Sequence, residues 1–356
     1  MNVPMHPNGS NDKFIRIMNA RVQRVQKLCK NIFHGKKSRN LRPYRVYWFP
    51  KESIAYCPIF KSASTTWRHY LFAHLNQTHV ADHKLIAKLM KTKKKLQVDD
   101  KLLLLGRQKP SSKRWKKYVD NLPSKNNLTG FLVVRHPFDR LVSAYRDKLE
   151  RKNLEEPYYY EKYGKKFVKR YRKRAIDALG KEYFYKSNNF GTPIKVENNL
   201  RPNSDLPSFW EFVESVTNRY FIDEHWAPIN EECSVCNPIS LKVFRYILKF
   251  EELATEAESF LNHKHWDINR NLTMFKFNSN HPGDIPSEQL TQIYFSVLSH
   301  KQILKLYKVY ESDFLLFNYT FKIGDLHLPT KPTKKTRKTR IKRKNQGVLK
   351  FNEMLE

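Results

Sequence analysis

Two segments of the chain repeat one pattern, and this repetition limits the folds that the sequence can adopt. The apolar runs Ile54–Phe60 and Phe131–Val134 are bounded by turn residues, which is typical of short buried strands. After each run comes a short turn, and apolar residues then recur at helical spacing, as Trp67, Tyr70 and Leu71 do after the first. Strands that alternate with helices predict an α/β fold with a parallel sheet.

The turn after the first strand has the composition of an anion-binding loop. Lys61 supplies a positive charge, and residues 62–66 are rich in hydroxyl groups. A helix is predicted to begin near Thr65, and a helix N-terminus presents amides without acceptors and the positive end of the helix dipole. The Gly-x-x-x-x-Gly-Lys spacing is missing, which disfavours an ordinary nucleotide triphosphatase. The alternative is a Ser/Thr-rich helix cap beside a surface lysine.

The turn after the second strand offers an arginine for phosphate binding. Arg135 follows the strand at its carboxyl end, where open α/β sheets bind ligands. On the next helix, Phe138 and Leu141 belong to the apolar stripe, and Arg140 and Ser143 are expected on the face away from it. A guanidinium group suits a bidentate contact with phosphate. The alternative is a helix with ordinary surface arginines.

The charge of the chain predicts a polyanionic partner. Lys and Arg number 67 against 34 Asp and Glu, so the formal net charge of the 356 residues is +33. Nucleic acid, an anionic membrane and an acidic polysaccharide all fit this charge. The sequence contains no apolar run of about 20 residues that would predict a transmembrane helix. Its first 30 residues predict a basic amphipathic helix rather than a secretory signal.

Cysteines and glycosylation sequons bear on the compartment. The spacing of Cys233 and Cys236 is weak evidence for zinc, and the alternatives are a structural disulfide or two inert core thiols. Asn-x-Ser/Thr sequons favour the secretory pathway. They occur at Asn8, Asn76, Asn127, Asn271 and Asn318, and the last four are the predicted glycosylation sites.

Together the two turns resemble the two-part signature of sulfotransferases. Residues 61–67, Lys-Ser-Ala-Ser-Thr-Thr-Trp, are similar to the loop for the 5′-phosphosulfate of PAPS (3′-phosphoadenosine-5′-phosphosulfate). Residues 135–145 are similar to the 3′-phosphate site of the same family. More narrowly, the chain resembles the Golgi carbohydrate sulfotransferases, especially the chondroitin 4-O-sulfotransferase group, although Phe60 and Ser64 stand where Pro and Cys are usual. The resemblance spans about residues 56–320, with further matching segments at 162–170, 223–228, 233–236, 249–253 and 306–320.

The resemblance implies a fold, a domain plan and a location. The fold would be the P-loop-like sulfotransferase fold, with a central parallel sheet flanked by helices. Residues 46–326 would form the catalytic domain, after a basic, stem-like lead-in at 1–45 and before a basic, disordered tail at 327–356. Members of the family are type II membrane proteins of the Golgi lumen, and no anchor is evident in this sequence.

The resemblance also implies a reaction. A sulfuryl group would pass from PAPS, released as PAP, to a glycan hydroxyl, with the 4-O position of GalNAc in chondroitin or dermatan as the expected acceptor. No metal is needed for this chemistry, and the expected partner is an anionic glycosaminoglycan. Two other functions stay open: an inactive, glycan-binding relative of the same fold, and a basic nucleic-acid-binding protein, although no known nucleic-acid motif is present.

A set of residues in both turns would bind the donor, with Arg135 and Ser143 in contact with its 3′-phosphate. The full set is Phe60, Lys61, Ser62, Ala63, Ser64, Thr65, Thr66, Arg135, His136, Pro137, Phe138, Asp139, Arg140, Leu141, Val142 and Ser143.

Catalysis needs charge neutralisation and a base for the acceptor hydroxyl. Lys61 would neutralise the departing phosphate, and both His83 and His225 are candidates for the base. The basic stretch 163–174, which includes Arg172 and Arg174, would line the acceptor cleft, and the alternative is a solvated basic helix. The residues predicted to bind the acceptor are Lys165, Lys166, Lys169 and Arg170.

Overall fold

A mostly parallel sheet forms the centre of the protein, as seen in a computed structural model. Its strand order is β3-β1-β2-β4-β5. The strands are β1 (Val46–Phe49), β2 (Ile54–Cys57), β3 (Leu103–Leu105), β4 (Thr129–Val134) and β5 (Phe244–Lys249). The structure describes residues 8–33, 46–49, 53–76, 103–105, 128–150, 158–179, 206–219, 221–266, 285–323 and 326–328.

The direction of the strands confirms the predicted α/β fold with one difference. Strand β4 pairs in parallel with both β2 and β5, whereas β1 is antiparallel to both of its neighbours, β2 and β3. Four of the five strands therefore point the same way. The sequence prediction of a parallel sheet is wrong for β1, because β1 is joined to β2 by a short connection and not by a crossover helix.

Helices cover the sheet and begin where capping residues allow. The sequence Ser208-x-x-Glu211 predicts a capping box at the start of a helix, and the structure confirms it: the Ser208 hydroxyl accepts from the Glu211 amide, and the Ser208 amide donates to the Glu211 carboxylate. The described α-helices are α1 (Asn8–Leu28), α2 (Ser64–Asn76), α3 (Pro137–Lys148), α4 (Lys165–Leu179), α5 (Phe209–Thr217), α6 (Ile229–Glu232), α7 (Pro238–Val243), α8 (Leu253–His263), α9 (Ser287–Phe295) and α10 (His300–Phe317). The described residues also form π-helical turns at Cys29–Phe33 and Tyr160–Gly164 and a 3₁₀ turn at Phe250–Glu252. A small hairpin consists of β6 (Phe321–Ile323) and β7 (Leu326–Leu328).

Alternating side chains of β4 enter two apolar clusters on opposite faces of the sheet. Phe131 and Val133 belong to the cluster that contains Trp67 of α2, and Leu132 and Val134 belong to the other. This is the two-residue period of a strand that is buried on both faces. At Gly130 a Cβ would lie 2.0 Å from the carbonyl oxygen of Val243, so only glycine allows this approach of the chains.

The basic helix predicted near the N-terminus is present as α1, and it packs against the rest of the protein. Phe14 and Met18 are buried in the cluster of Trp67. Arg21 forms two hydrogen bonds of 2.6 and 2.8 Å to the Glu256 carboxylate on α8. The domain boundary at residue 45 stays a prediction. Among the described residues, no helix is long and apolar enough to cross a membrane.

All four cysteines form structural disulfides, one of the alternatives to the weak zinc signal. Cys29 is bonded to Cys236, and Cys57 is bonded to Cys233. The two cysteines of the close pair therefore each join a distant segment rather than one another. No group of metal-ligating side chains is found in the part of the chain that the structure describes.

Three other sequence expectations concern single elements. The segment 84–117 is rich in Lys and poor in pattern, which predicts a surface insertion, but Leu103–Leu105 within it forms the edge strand β3; the other residues of the segment lie outside the described ones. The apolar stripe predicted from Leu290 to Leu298 is shorter, because α9 ends at Phe295. Almost all of the tail predicted to be disordered lies outside the described residues; only residues 327 and 328 are described, in β7.

We expect both disulfides to stabilise the fold strongly, because they join residues 207 and 176 positions apart. Replacing either pair, Cys29→Ser with Cys236→Ser or Cys57→Ser with Cys233→Ser, should lower the free energy of unfolding by about 2–5 kcal/mol. Denaturant titration measures this loss. Peptide mapping without reductant checks the pairing, and a peptide in which Cys233 is bonded to Cys236 would contradict it.

Candidate functional site

The carboxyl ends of β2, β4 and β5 lie side by side, and the three loops that follow them meet there. The loop after β2 carries Lys61, the loop after β4 carries Arg135, and the turn after β5 carries Phe250. Ligands of open α/β sheets bind at this edge. The topology therefore brings the two predicted anion-binding turns to one place.

The first loop has the backbone of an anion-binding turn. Lys61 (φ 67°) and Ala63 (φ 57°) both adopt the left-handed region, which non-glycine residues rarely occupy. Left-handed residues beside right-handed ones turn successive amides to one side and make a concave anion site. The first intrahelical bond of α2 runs from the Trp67 amide to the Ala63 carbonyl, so the Ser64 and Thr65 amides have no acceptor within the helix.

A buried hydroxyl in this loop lacks a partner. The Oγ of Ser62 is buried and forms no hydrogen bond with any described residue. An unsatisfied buried hydroxyl costs about 1–3 kcal/mol, so a ligand that supplies the missing bond gains that energy. The donor set of this loop, with amides, hydroxyls and one ammonium group, fits a phosphate or sulfate group.

Arg135 joins the two loops directly. Its guanidinium donates to the carbonyl oxygen of Lys61 at 2.9 Å and to the hydroxyl of Ser287 at 2.9 Å. It also lies 4.3 Å from the centre of the Phe250 ring, a cation–π distance. Arg135 is only 8% exposed, and this enclosure holds its charge toward the cleft that the loops surround.

That cleft has a volume of about 690 Å³ and is lined by both predicted motifs. Ala63 and Thr66 come from the first motif, and Arg135, His136 and Asp139 come from the second. The opposite walls are supplied by α9 and by residues 318–322, which include Lys322 and Asn318. A cleft of this size has room for a nucleotide.

His136 and Asp139 hold the start of α3. The His136 ring lies 2.8 Å from the Thr320 carbonyl through Nε2, and its Nδ1 accepts from the Asp139 amide at 3.4 Å. Burial alone would raise the pKa of Asp139, but the contacts with His136, Thr291 and Arg135 outweigh it and lower that pKa. Asp139 therefore stays ionised beside Arg135.

The remaining predicted residues of α3 do not all face the cleft. Phe138, Leu141 and Val142 are core residues, and Pro137 is buried at the first turn. The expected open face of Arg140 is wrong: its side chain is 1% exposed and donates to the carbonyl oxygens of His225 (3.2 Å) and Ala227. Ser143 is half-buried, and it is not among the described residues that line the cleft.

His225 lies beside the first loop, within a cluster that orients its ring. Its Nδ1 is 2.7 Å from the Asp223 carboxylate and 3.2 Å from the Tyr159 hydroxyl. Its ring packs against the ring of Phe60 at a tilt of 38°, with the centroids 4.4 Å apart. Burial would raise the pKa of Asp223, yet hydrogen bonds from His225 and from Tyr163 (2.8 Å) lower it. An ionised Asp223 therefore fixes the proton on Nδ1, and Nε2 is left as the acceptor.

Two ion pairs and a cation–π contact connect Lys61 to Tyr159, which contacts His225. Its Nζ lies 3.3 Å from the Asp147 carboxylate, which also pairs with Lys148 at 2.9 Å. The Lys148 ammonium group in turn lies 4.8 Å from the centre of the Tyr159 ring. Burial lowers the pKa of Lys61, although Asp147 opposes this effect. The two lysines lower the pKa of Asp147 in spite of its burial.

The sequence interpretation missed Asp147, Lys148, Tyr159 and Tyr163. The two tyrosines reach His225 and Asp223 because the chain forms a π-helical turn, Tyr160–Gly164, directly before α4. Such turns are rare and are frequent at functional sites. The tyrosine run at 158–160 was the available signal, but a pattern at helical spacing does not predict a π-turn.

The basic helix α4 divides into two faces. The predicted acceptor residues Lys165, Lys166, Lys169 and Arg170 are all exposed. Arg172 does not belong to the exposed face, whereas Arg174 keeps a side chain that is 61% exposed, so its place in the acceptor cleft stays a prediction. Arg172 binds the buried Glu211 at 2.7 Å, and Arg174 binds Glu214 at 3.1 Å, so both arginines hold α5.

The structure describes only some of the other predicted positions. His83, Asn127 and Asn271 lie outside the described residues, and Asn76 is the last residue of α2. Asn318 is exposed and ends α10 with a left-handed backbone, φ 56°, a conformation that asparagine tolerates well at a helix end. It also lines the cleft, so a glycan on Asn318 would stand at the cleft wall.

The fold and these loops define an α/β protein with an anion-binding cleft at the carboxyl ends of its strands. A model of the sulfotransferase family matches residues 44–320, and the chain belongs to the sulfotransferase family. This finding confirms the resemblance on which the sequence interpretation was based.

Similar curated proteins agree with this assignment. Carbohydrate sulfotransferase 8 of Mus musculus is 32% identical over 202 residues, 56% of this chain and 42% of the relative. Carbohydrate sulfotransferase 8 of Homo sapiens is 25% identical over 88% of this chain and 65% of the relative. Carbohydrate sulfotransferase 11 of Rattus norvegicus is 29% identical over 197 residues, which are 53% of this chain and 46% of the relative. The chain thus covers 42–65% of these relatives, and no solved structure matches it.

Asp313 supports the segment that carries His225. Its fully buried carboxylate accepts from the amides of Ile229 (2.6 Å) and Asn230 (3.1 Å) at the start of α6. Burial raises the pKa of Asp313 to about 6, although Arg140 and the two amides favour the charged form. The folded protein therefore keeps a proton on Asp313 at pH values where the unfolded chain has lost it.

We expect this group to make the protein less stable as the pH rises from about 4 to about 6. Because the folded state binds more protons in this range, the contribution of Asp313 to the free energy of unfolding falls, by up to about 3 kcal/mol. Asp313→Asn should remove that part of the pH dependence. Denaturant titrations of both proteins between these pH values measure it, and parallel pH profiles would contradict the prediction.

Proposed function

We propose that this protein transfers a sulfuryl group from PAPS to a hydroxyl group of a glycan. The observation that carries the proposal is the direct bond from Arg135 to the Lys61 carbonyl, which joins two anion-binding turns at the edge of one cleft. The relatives are named carbohydrate sulfotransferases, which supports a sugar as the acceptor.

The first loop and Arg135 are the proposed donor site. When bound, PAPS supplies the sulfuryl group, and its 5′-phosphate carries the departing charge. The Ser62 hydroxyl and the amides at the start of α2 would hold that phosphate, and Lys61 would neutralise its charge. Arg135 would select a donor that carries a 3′-phosphate, with Ser143 as its proposed partner. Positioning and charge stabilisation are the main means of catalysis for such transfers.

His225 is the proposed general base. With Nδ1 bound to Asp223, the free Nε2 is the atom that takes the proton of the acceptor hydroxyl. Phe60, the residue directly before Lys61, packs against the His225 ring and brings it close to the first loop. The contact of His225 with its orienting carboxylate supports this choice, and His83, which lies outside the described residues, stays the other candidate.

The proposed acceptor is an anionic glycosaminoglycan, with the 4-O position of GalNAc in chondroitin or dermatan as the first candidate. The exposed basic face of α4 begins directly after the π-turn that carries Tyr163, a neighbour of Asp223. Lys165, Lys166, Lys169 and Arg170 on this face suit a repeating anionic chain.

The proposed compartment is the Golgi lumen. Two disulfides and no free cysteine fit an oxidising compartment. Passage through the secretory pathway would also allow glycosylation at the predicted sequons.

The proposal predicts that the purified protein transfers labelled sulfate from PAPS to chondroitin. Lys61→Ala should abolish transfer, because the charge at the departing phosphate is no longer neutralised. Lys305→Ala, which removes an exposed lysine of α10, is the matched control and should keep full activity. Dermatan and heparan acceptors, followed by disaccharide analysis, identify the position of the sulfate. Undiminished turnover by Lys61→Ala would contradict the assignment.

Calorimetry with PAP separates binding from transfer. Arg135→Ala should weaken PAP binding by about tenfold or more, because a buried charge-assisted contact is lost. Lys61→Ala should weaken PAP binding less than it weakens transfer. A protein that binds PAP and chondroitin but never transfers sulfate is the inactive relative considered above.

His225→Ala should lower kcat by about 10²–10⁴-fold, because the general base is removed. Asp223→Asn, which disturbs the tautomer of the same ring, should lower kcat in the same direction. His300→Ala, at an exposed histidine of α10, is the control. Thermal melting and PAP binding show whether each variant is folded. A His83→Ala variant that loses activity, beside an active His225→Ala variant, would reverse the choice of base.

A further inference from the structure

Two large apolar side chains are exposed among the described residues, Tyr158 and Leu304. Leu304 stands on the outer face of α10. Tyr158 is 54% exposed and is adjacent in sequence to Tyr159, which contacts His225. Tyr158 therefore presents an exposed aromatic ring next to the residue that contacts His225.

The ring of Tyr158 is held in a fixed orientation. Lys162 donates to the Tyr158 hydroxyl at 2.6 Å, and its ammonium group lies 4.8 Å from the centres of the Tyr158 and Tyr163 rings. On its other side, Tyr158 packs against the ring of Tyr159, with 5.1 Å between the centroids and an interplanar angle of 88°. A ring held by both an edge-to-face contact and a cation loses little further freedom when a ligand binds.

A continuous row of contacts connects this ring to the proposed reaction centre. Tyr159 touches Tyr158 on one side and lies 3.2 Å from Nδ1 of His225 on the other. Lys148 lies over the Tyr159 ring and pairs with Asp147, the partner of Lys61. Tyr158 is therefore separated from the proposed base by one side chain.

We propose that Tyr158 and Lys162 form an acceptor subsite that binds the sugar next to the one that receives the sulfate. The exposed face of Tyr158 would stack on the apolar C–H face of a pyranose ring, and the Lys162 ammonium group would pair with its carboxylate. The occupant is thus a uronic acid in a repeating acidic glycan. This inference rests on the proposed function and specifies its substrate.

The chemistry of the two residues favours this occupant. A sugar ring presents both an apolar face and polar edges, which matches an aromatic ring whose hydroxyl is tied to a cation. Lys162 and Lys148 stand around the tyrosine pair, so an anionic sugar meets complementary charge there. Hydrogen bonds to Tyr158 and Tyr163 keep the pKa of Lys162 above its ordinary value, although burial acts in the opposite direction. Lys162 remains a cation at any physiological pH.

The test uses equilibrium binding of a fluorescent chondroitin hexasaccharide to the intact protein, beside acceptor kinetics. Tyr158→Ala should weaken hexasaccharide binding and raise the acceptor KM by about tenfold, with kcat nearly unchanged. Tyr158→Phe keeps the ring but loses the hydrogen bond to Lys162, so it should weaken binding less than Tyr158→Ala does. Leu304→Ala, at the other exposed apolar residue, is the matched control, and PAP affinity should be the same for all variants.

The role of the Lys162 charge is tested with two hexasaccharides, one with its carboxylates and one without them. Lys162→Gln should weaken binding of the native hexasaccharide but not of the same hexasaccharide with its carboxylates reduced to alcohols, and Lys162→Arg should restore binding. Hexasaccharide binding that Tyr158→Ala leaves unchanged would overturn the subsite while transfer by the unchanged protein still supports the proposed function. Absence of transfer, together with hexasaccharide binding that depends on Tyr158, would overturn the function and keep the subsite.

Discussion

The parallel pairing of β2 with β4 is the constraint on which the rest of the site depends. It sets Cys57 opposite Leu132, so both strands deliver their next residues to the same edge of the sheet. The bond from Arg135 to the Lys61 carbonyl then fixes the distance between the loops. One ladder of backbone hydrogen bonds thereby positions a lysine and an arginine that are 74 residues apart in sequence.

A second set of contacts holds the segment that carries His225 against this edge. Arg140 binds two carbonyl oxygens of the segment, Asp313 caps the short helix that follows it, and the Cys57–Cys233 bridge ties that helix to β2. These groups are buried, so their role is to position His225. Burying an arginine and a carboxylate is costly unless both are well bonded, and here each finds backbone partners.

The sequence allowed the two strand–turn–helix units, the capping box and the family to be predicted, because period and turn composition are local properties. It did not allow the role of Arg140 to be predicted: helical spacing placed this residue on an open face, and a distant loop covers it. The same limit applies to Arg172, whose partner Glu211 is 39 positions away, and to the cysteines, whose pairing depends on tertiary structure. The π-turn before α4 departs from the regular α-helical spacing on which helix prediction from sequence depends.

The disulfide between Cys57 and Cys233 also makes the structure depend on the redox environment of the chain. It covalently links the strand that leads into the Lys61 loop with the segment that follows His225. A chain in a reducing environment contains the same side chains but lacks the covalent link between the two halves of the proposed reaction centre. Formation of this bridge needs an oxidising environment, and the secretory route proposed for this protein supplies one.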